Sequence, residues 1–153
     1  MSDHPENAPK VVIVPCSGIG KTYGSVSREA AYCLTEDLRP DQTELVALSL
    51  LVLGDPAARL MLANNPALTI DGCKLACATK MVQESGGHVL RDFAVLDVYR
   101  RNKQLKPQGI AELNEGGKLL ALTLAQEAAD VVDNLASGDD SQQSQPGEAG
   151  PNG

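Results

Sequence analysis

The sequence predicts an α/β fold of three layers: a mostly parallel sheet of about four strands between flanking helices, in the Rossmann-like or flavodoxin-like manner. Three observations predict it. Val11, Val12, Ile13 and Val14 are consecutive and β-branched, and a run without alternation suits a parallel strand covered on both faces. Short apolar runs then alternate along the chain with stretches of helical periodicity, the pattern of βαβ units. Finally, 42% of the chain is hydrophobic but Trp is absent and Phe occurs once, so the core is built from Val, Leu, Ile and Ala.

At 153 residues the chain suits one domain with a single core, placed at 10–136. Residues 1–9 read as a flexible lead-in. Beyond Ser137 the composition collapses to Ser, Gln, Asp, Gly, Pro and Glu. Such a segment buries too little apolar surface to order itself, so 137–153 reads as a disordered tail.

Within the domain, Lys10 to Pro15 is the first strand, closed by its proline. Cys16 to Gly24 holds three glycines and small hydroxyl residues, the composition of a tight loop that exposes backbone. Ser25 is placed to cap a helix running to about Asp37, with Val26, Ala30, Cys33 and Leu34 as its apolar stripe. Arg39-Pro40-Asp41 breaks it. Leu45 to about Ser49 is the second strand, although the run stays apolar to Leu53 and periodicity does not fix its end. Asp55 before Pro56 signals a helix to Asn64, since a capping acid precedes a proline at the first helical position. Ala67 to Ile70 is a third strand, Asp71-Gly72 a turn, and Cys73 to Ser85 a helix ended by Gly86-Gly87. His88 to Val98 is the fourth strand, carrying Val89, Phe93, Val95, Leu96 and Val98. Tyr99 to Gly117 is mostly connection, and Lys118 to about Ala136 a last amphipathic helix.

The formal charge is −7, part of it from Asp139, Asp140 and Glu148 in the tail, so nucleic acid is a poor partner. Arg100, Arg101, Lys103 and Lys106 form the one basic cluster; it lacks interleaved aromatics and reads as a solvated connection. Met1 to Lys10 is polar, without the apolar core of a signal peptide, and no stretch reaches the ~18 apolar residues of a membrane span. The expected location is the cytoplasm, with no membrane partner. There, four cysteines are metal ligands, reactive thiols or core residues rather than a disulfide framework.

Two stretches place those cysteines. Ile70-Asp71-Gly72-Cys73 and Val14-Pro15-Cys16-Ser17-Gly18 each end an apolar run at a thiol and lead into a helical pattern. In an open parallel sheet, ligands bind beyond the carboxyl ends of the strands, where Cys16 and Cys73 are both expected. On one helix Cys73 and Cys77 are i and i+4, with Cβ atoms roughly 5–6 Å apart. Two thiolates on a tetrahedral zinc with Zn–S near ~2.3 Å are just under ~4 Å apart, within rotamer reach of that spacing. A helix N-terminus also favours the thiolate that metal binding and nucleophilic chemistry both need, and Cys73 gains most.

The competing readings are a reactive thiol or redox pair, and simple packing of small hydrophobes. Cys33, eight residues into its helix, is expected about 12 Å below the Cys16 loop at ~1.5 Å rise per residue, on the apolar stripe. His88 belongs at the opposite edge of the sheet and His4 in the lead-in. The fourth metal position therefore falls to Cys33 if the loop folds back, or to water, substrate or Asp71. Three protein ligands and an open position would make the metal reactive rather than purely structural.

The loop between Cys16 and the first helix has two false likenesses. Gly20-Lys21-Thr22 ends like a phosphate-binding P-loop, but the pattern requires glycine at position 15, where Pro15 stands. A Cys-x5-Arg phosphatase loop fails because Thr22 occupies the arginine position. Ser17, Gly18 and Gly20 can still offer backbone amides to a small anion, with Lys21 and Arg28 as contacts or as solvated surface residues. Tyr23 at the loop shoulder either closes over the site or packs.

The combination Pro15-Cys16-Ser17-Gly18-Ile19-Gly20, Arg28-Glu29-Ala30-Ala31-Tyr32, Ile70-Asp71-Gly72-Cys73 and Cys77-Ala78 resembles the DGC-domain family over about residues 10–125. That family is described as zinc-binding through four candidate cysteines, with no settled activity. The resemblance implies zinc as cofactor and Cys16, Cys73, Cys77 and Cys33 as its ligands. It supplies no reaction. The leading expectation is a cytoplasmic zinc-binding protein with its thiolate site beside a glycine-rich loop. The alternatives are a thiol redox or sulfur-transfer protein using Cys73 or Cys16, and a small-anion or nucleotide-binding module.

Overall fold

A computed structural model describes residues 10–16, 21–72 and 75–136. The expected lead-in at 1–9 and tail at 137–153 lie outside the described residues. Strands β1 (Val11–Pro15), β2 (Thr43–Leu45), β3 (Ala67–Asp71) and β4 (Val89–Ala94) form one sheet in the order β2-β1-β3-β4, every pair parallel. Helices α2 (Leu48–Leu53), α3 (Pro56–Asn64) and α4 (Cys77–Glu84) cover one face. Helices α1 (Thr22–Tyr32), α5 (Val95–Arg100) and α6 (Glu115–Ala136) cover the other. The three-layer α/β expectation is met.

The apolar run of β1 now has its explanation. Val11 and Ile13 belong to the core under α1 and α6, while Val12 and Val14 belong to the core under α2, α3 and α4. Side chains alternate across a strand, so a strand covered on both faces must be apolar at every position. Full burial of each such side chain contributes about 1.5–3 kcal/mol relative to exposure. Edge strand β4 instead exposes Arg91 and Asp92 and buries Phe93.

On the other face, α6 buries Leu120, Ala121, Leu124, Ala125, Ala128, Ala129 and Val132, a stripe of helical period. Its alanines meet Ala30 and Ala31 of α1 in the same cluster; small side chains there let two helix backbones approach closely. Arg39 ties the chain beyond α1 to this helix, with Nε and Nη2 each 2.7 Å from an Asp133 carboxylate oxygen.

Several boundaries differ from the sequence reading. Ser25 does not cap α1. The helix begins at Thr22, Ser25 is buried within it, and its last part, Cys33–Leu38, widens into a π-helical turn. The second strand lies earlier, at Thr43–Leu45, in register with Val11–Ile13 of β1, and the apolar run after it forms α2, closed by Gly54 at φ +76°. The fourth strand stops at Ala94 and passes directly into α5. Asp55 caps α3 as expected, accepting the Ala58 amide at 2.9 Å.

The difference that matters for function concerns α4. It starts at Cys77 rather than Cys73, after a turn at Leu75 and a left-handed Ala76 at φ +53°. The Asp71 carboxylate takes the amides of Ala78 and Thr79 at 2.7 and 3.3 Å and so fixes the helix start there. Residues 75 and 76 are not helical, so no single helix face carries both position 73 and Cys77.

Candidate thiol site at the carboxyl edge of the sheet

The order β2-β1-β3-β4 sets the geometry of this edge. From β1 the chain crosses to β2 on one side, then returns past β1 to β3 on the other, so the strand order reverses between β1 and β3. Crevices that accept ligands form at such a reversal, beyond the carboxyl ends of the two strands. Cys16 is the first residue after β1 and Gly72 the first after β3.

Cys16 is held against that crevice by backbone. Its amide donates to the Ile70 carbonyl at 2.8 Å, one step beyond the Pro15–Ile70 pairing, so it stands beside Asp71. Its residue is 5% exposed. The Ser27 hydroxyl lies 3.1 Å from the Cys16 carbonyl and 2.8 Å from that of Gly24, tying the strand end to α1.

Asp71 is equally confined. Besides the two α4 amides, it accepts the Thr79 hydroxyl at 2.7 Å, and Thr79 in turn meets the Thr69 hydroxyl at 2.7 Å. Both carboxylate oxygens thus serve the start of α4. Gly72 is required by a close approach: a Cβ there would lie 2.9 Å from the Gly24 nitrogen and from the carbonyl carbon and oxygen of Tyr23. These neighbours are backbone in the first turn of α1, so the loop after β3 and the helix after β1 are in direct contact.

The arrangement accounts for an Asp-Gly pair at the end of one strand and a cysteine at the end of its neighbour. A sequence profile of the DGC domain matches residues 12–116. The chain belongs to the DGC-domain family. No curated protein and no solved structure matches it. The matched span of the DGC domain ends as α6 begins, although α6 supplies much of the core on its face of the sheet.

Of the cysteines expected at the site of this DGC domain, Cys73 lies outside the described residues, as do Ser17, Gly18 and Gly20 of the expected anion loop. Cys77 is the first residue of α4 and is exposed. It is one residue from the amide that Asp71 accepts, and Asp71 neighbours Cys16, so the backbone brings Cys16 and Cys77 to the same strand ends. Cys33 begins the π-helical turn at the other end of α1, packed against the core. It is eleven residues beyond Thr22, roughly 16 Å along the axis at ~1.5 Å per residue. Burial and the nearby Asp37 and Glu29 carboxylates push its thiol pKa up. Among the described residues no three His, Cys, Asp or Glu side chains gather to hold a metal ion.

Of the expected anion contacts, Lys21 and Arg28 are described. Lys21 is exposed at the N-cap of α1 and makes no side-chain cap hydrogen bond. Arg28 donates from Nη2 to the Ser25 hydroxyl at 3.2 Å, and that hydroxyl donates to the Ile110 carbonyl. Tyr23 packs on Tyr99 of α5, with ring centroids 6.0 Å apart. Sequence reasoning missed Ser27 and Thr79, whose roles depend on which strand lies beside which. No helix among the described residues is long and apolar enough to cross a membrane.

Proposed function

We propose that this DGC domain is a cytoplasmic zinc-binding protein whose ion is held by Cys16, Cys73 and Cys77 at the carboxyl edge of the sheet. The observation that carries the reading is the Cys16 amide on the Ile70 carbonyl at 2.8 Å. It supports the thiol after β1 as a neighbour of Asp71 and Gly72 at the end of β3, where the strand order reverses. The donor chemistry fits: sulfur donors are soft and suit zinc in a reducing compartment. Cys77 and Cys16 are the described donors, and Cys73 is the third by its place in the motif. Cys33, at the far end of α1, is left to core packing. Asp71 serves as the cap that sets where Cys77 lies, which leaves a fourth donor to water or a small ligand. Bound zinc at such a site would polarise that ligand or lower the pKa of bound water.

A thiol count before and after chelation tests the reading. Cys16, Cys73 and Cys77 are expected to be protected as isolated and to become titratable when the metal is stripped, and Cys73→Ser is expected to lose the metal. Equal thiol reactivity with and without chelator would refute it.

A second reading is favoured by one observation. Cys77 is exposed at the first position of a helix, a place where a reactive thiol is presented to solvent. In a thiol redox or sulfur-transfer protein the nucleophile would then be Cys77 or Cys73 rather than the buried Cys16. Metal-free protein with one rapidly alkylated cysteine would favour this reading.

A further inference from the structure

A cleft of about 210 Å³ opens on the side of α1 turned away from Cys16, lined by Ser25, Arg28, Glu29 and Tyr32 and by the segment 110–113 with Lys118. Ser27 reaches the Cys16 carbonyl whereas Ser25 reaches that of Ile110, and two residues on a helix are about 200° apart, so α1 separates the cleft from Cys16.

Its outer wall is a built loop. Asn114 Oδ1 accepts the amides of Gln108 and Gly117 at 2.9 and 2.7 Å, and its Nδ2 donates to the Lys106 carbonyl at 3.1 Å. Gly109 turns the chain at φ +105°, where a Cβ would collide with the Glu112 carbonyl. The Ser25 hydroxyl pins the loop tip to α1 through Ile110. The cleft therefore exists before any ligand arrives, which removes the cost of ordering it.

The lining is balanced in charge and mixed in polarity. Arg28, Lys118, Glu29 and Glu112 all line the cleft, the Lys118–Glu112 pair being a loose 4.0 Å. A guanidinium has five N–H donors, so the contacts Arg28 already makes and a ligand carboxylate are compatible. Tyr32 and Ile110 are 42% and 50% exposed and supply an apolar wall. At about 210 Å³ the cleft is smaller than the roughly 300–1,000 Å³ of pockets for drug-sized ligands, which suits a small metabolite rather than a nucleotide. A dianion such as phosphate would meet two carboxylates, whereas a molecule bearing one carboxylate and one ammonium finds an opposite charge for each.

We propose that this cleft is a binding site for a small zwitterion, a free α-amino acid with an apolar side chain. The carboxylate pairs with Arg28, the ammonium with Glu29 or Glu112, and the side chain lies on Tyr32 and Ile110.

The full chain titrated with L-leucine, L-valine and L-alanine, followed by amide chemical shifts, tests the site. The matched controls are the corresponding amines, which lack the carboxylate, and the corresponding carboxylates, which lack the ammonium. Saturable shifts at residues 25–32 and 110–118 are expected with at least one amino acid and with neither class of control. Arg28→Gln is expected to weaken binding about tenfold or more, the loss of one charged hydrogen-bonded contact. Tyr32→Ala, at an exposed position that leaves the core intact, is expected to weaken leucine more than alanine. The double variant Cys73→Ser, Cys77→Ser is expected to bind unchanged, so the cleft and the thiol site fail or succeed separately. No saturable shift with any of the three, equal binding of a control, or binding indifferent to both Arg28→Gln and Tyr32→Ala would overturn the proposal.

Discussion

The carboxylate of Asp71 accepts the Thr79 hydroxyl at 2.7 Å across eight residues of chain, while also holding the Ala78 and Thr79 amides. One buried side chain, 5% exposed, therefore joins the end of β3 to the first turn of α4 and sets where Cys77 stands. The aspartate of the family's motif thus positions Cys77 through the backbone it anchors.

Asp71→Ala is expected to destabilise the domain by about 2 kcal/mol, at the upper end for a lost helix cap because buried donors are left unsatisfied. Urea unfolding of wild type and variant at neutral pH measures it. Asp71→Asn, which keeps an acceptor for the Ala78 amide, should lose less; an equal loss would mean that charge rather than hydrogen bonding dominates.

Gly72→Ala should be costly for a steric reason. The new Cβ would sit 2.9 Å from Tyr23 and Gly24 backbone atoms, which cannot swing aside as a flexible side chain can. A loss of about 1–3 kcal/mol is expected, the usual range for overpacking. By contrast, a Cβ at Gly86 meets nothing within 4 Å, but its φ of +87° strains any L residue. Gly86→Ala should therefore lose about 1 kcal/mol through backbone conformation alone. Denaturant midpoints of the two variants separate contact from conformation.

Acid should weaken the clasp between the chain beyond α1 and α6. The Arg39 hydrogen bond holds the Asp133 carboxyl below the usual carboxylate range. A depressed carboxylate pKa gives stability that is present above the unfolded-state value and is lost as pH falls through the folded-state value. Because the Asp133 side chain is 46% exposed, the contribution is screened to about 0.2–1 kcal/mol. Asp133→Asn should be less stable than wild type by that amount near neutrality, and the difference should close in strong acid. A gap that persists unchanged at low pH would mean that the pair acts through packing.

Cys33 should alkylate slowly. It is partly buried, and burial with Asp37 and Glu29 raises its pKa, so little thiolate is present near neutrality and more appears as pH rises. In metal-stripped protein, mass mapping of iodoacetamide adducts should find exposed Cys77 modified first and Cys33 later, with the Cys33 rate climbing steeply in alkali. Cys33→Ser should leave the metal content unchanged.

The layered fold could be read in advance because β1 carries Val11 to Val14 without a break, and only a strand wedged between two helical layers needs that. Asp55 before Pro56 announced α3 for an equally local reason. Ser25 misled because its hydroxyl is engaged by Ile110, 85 residues away. The start of α4 misled because helical spacing continues back through Cys73, whereas the decisive cap, Asp71, acts seven residues ahead on Ala78. At the site, the strand ends bearing Cys16 and Gly72 followed from the alternation of elements. Their contact through Gly72 and Tyr23 did not, since nothing in a sequence marks which backbone a glycine must admit. The Arg28 cleft was equally hidden, because its other wall lies more than eighty residues away.

The most direct test is elemental analysis of the full chain purified without a histidine tag, for wild type, Cys16→Ser and Cys73→Ser in parallel. Wild type should carry about one zinc per chain, as a single tetrahedral thiolate site requires, and each variant should lose it while still folding. Folded wild-type protein that remains free of metal after exposure to zinc, or variants that keep a full complement, would contradict the assignment of these thiols.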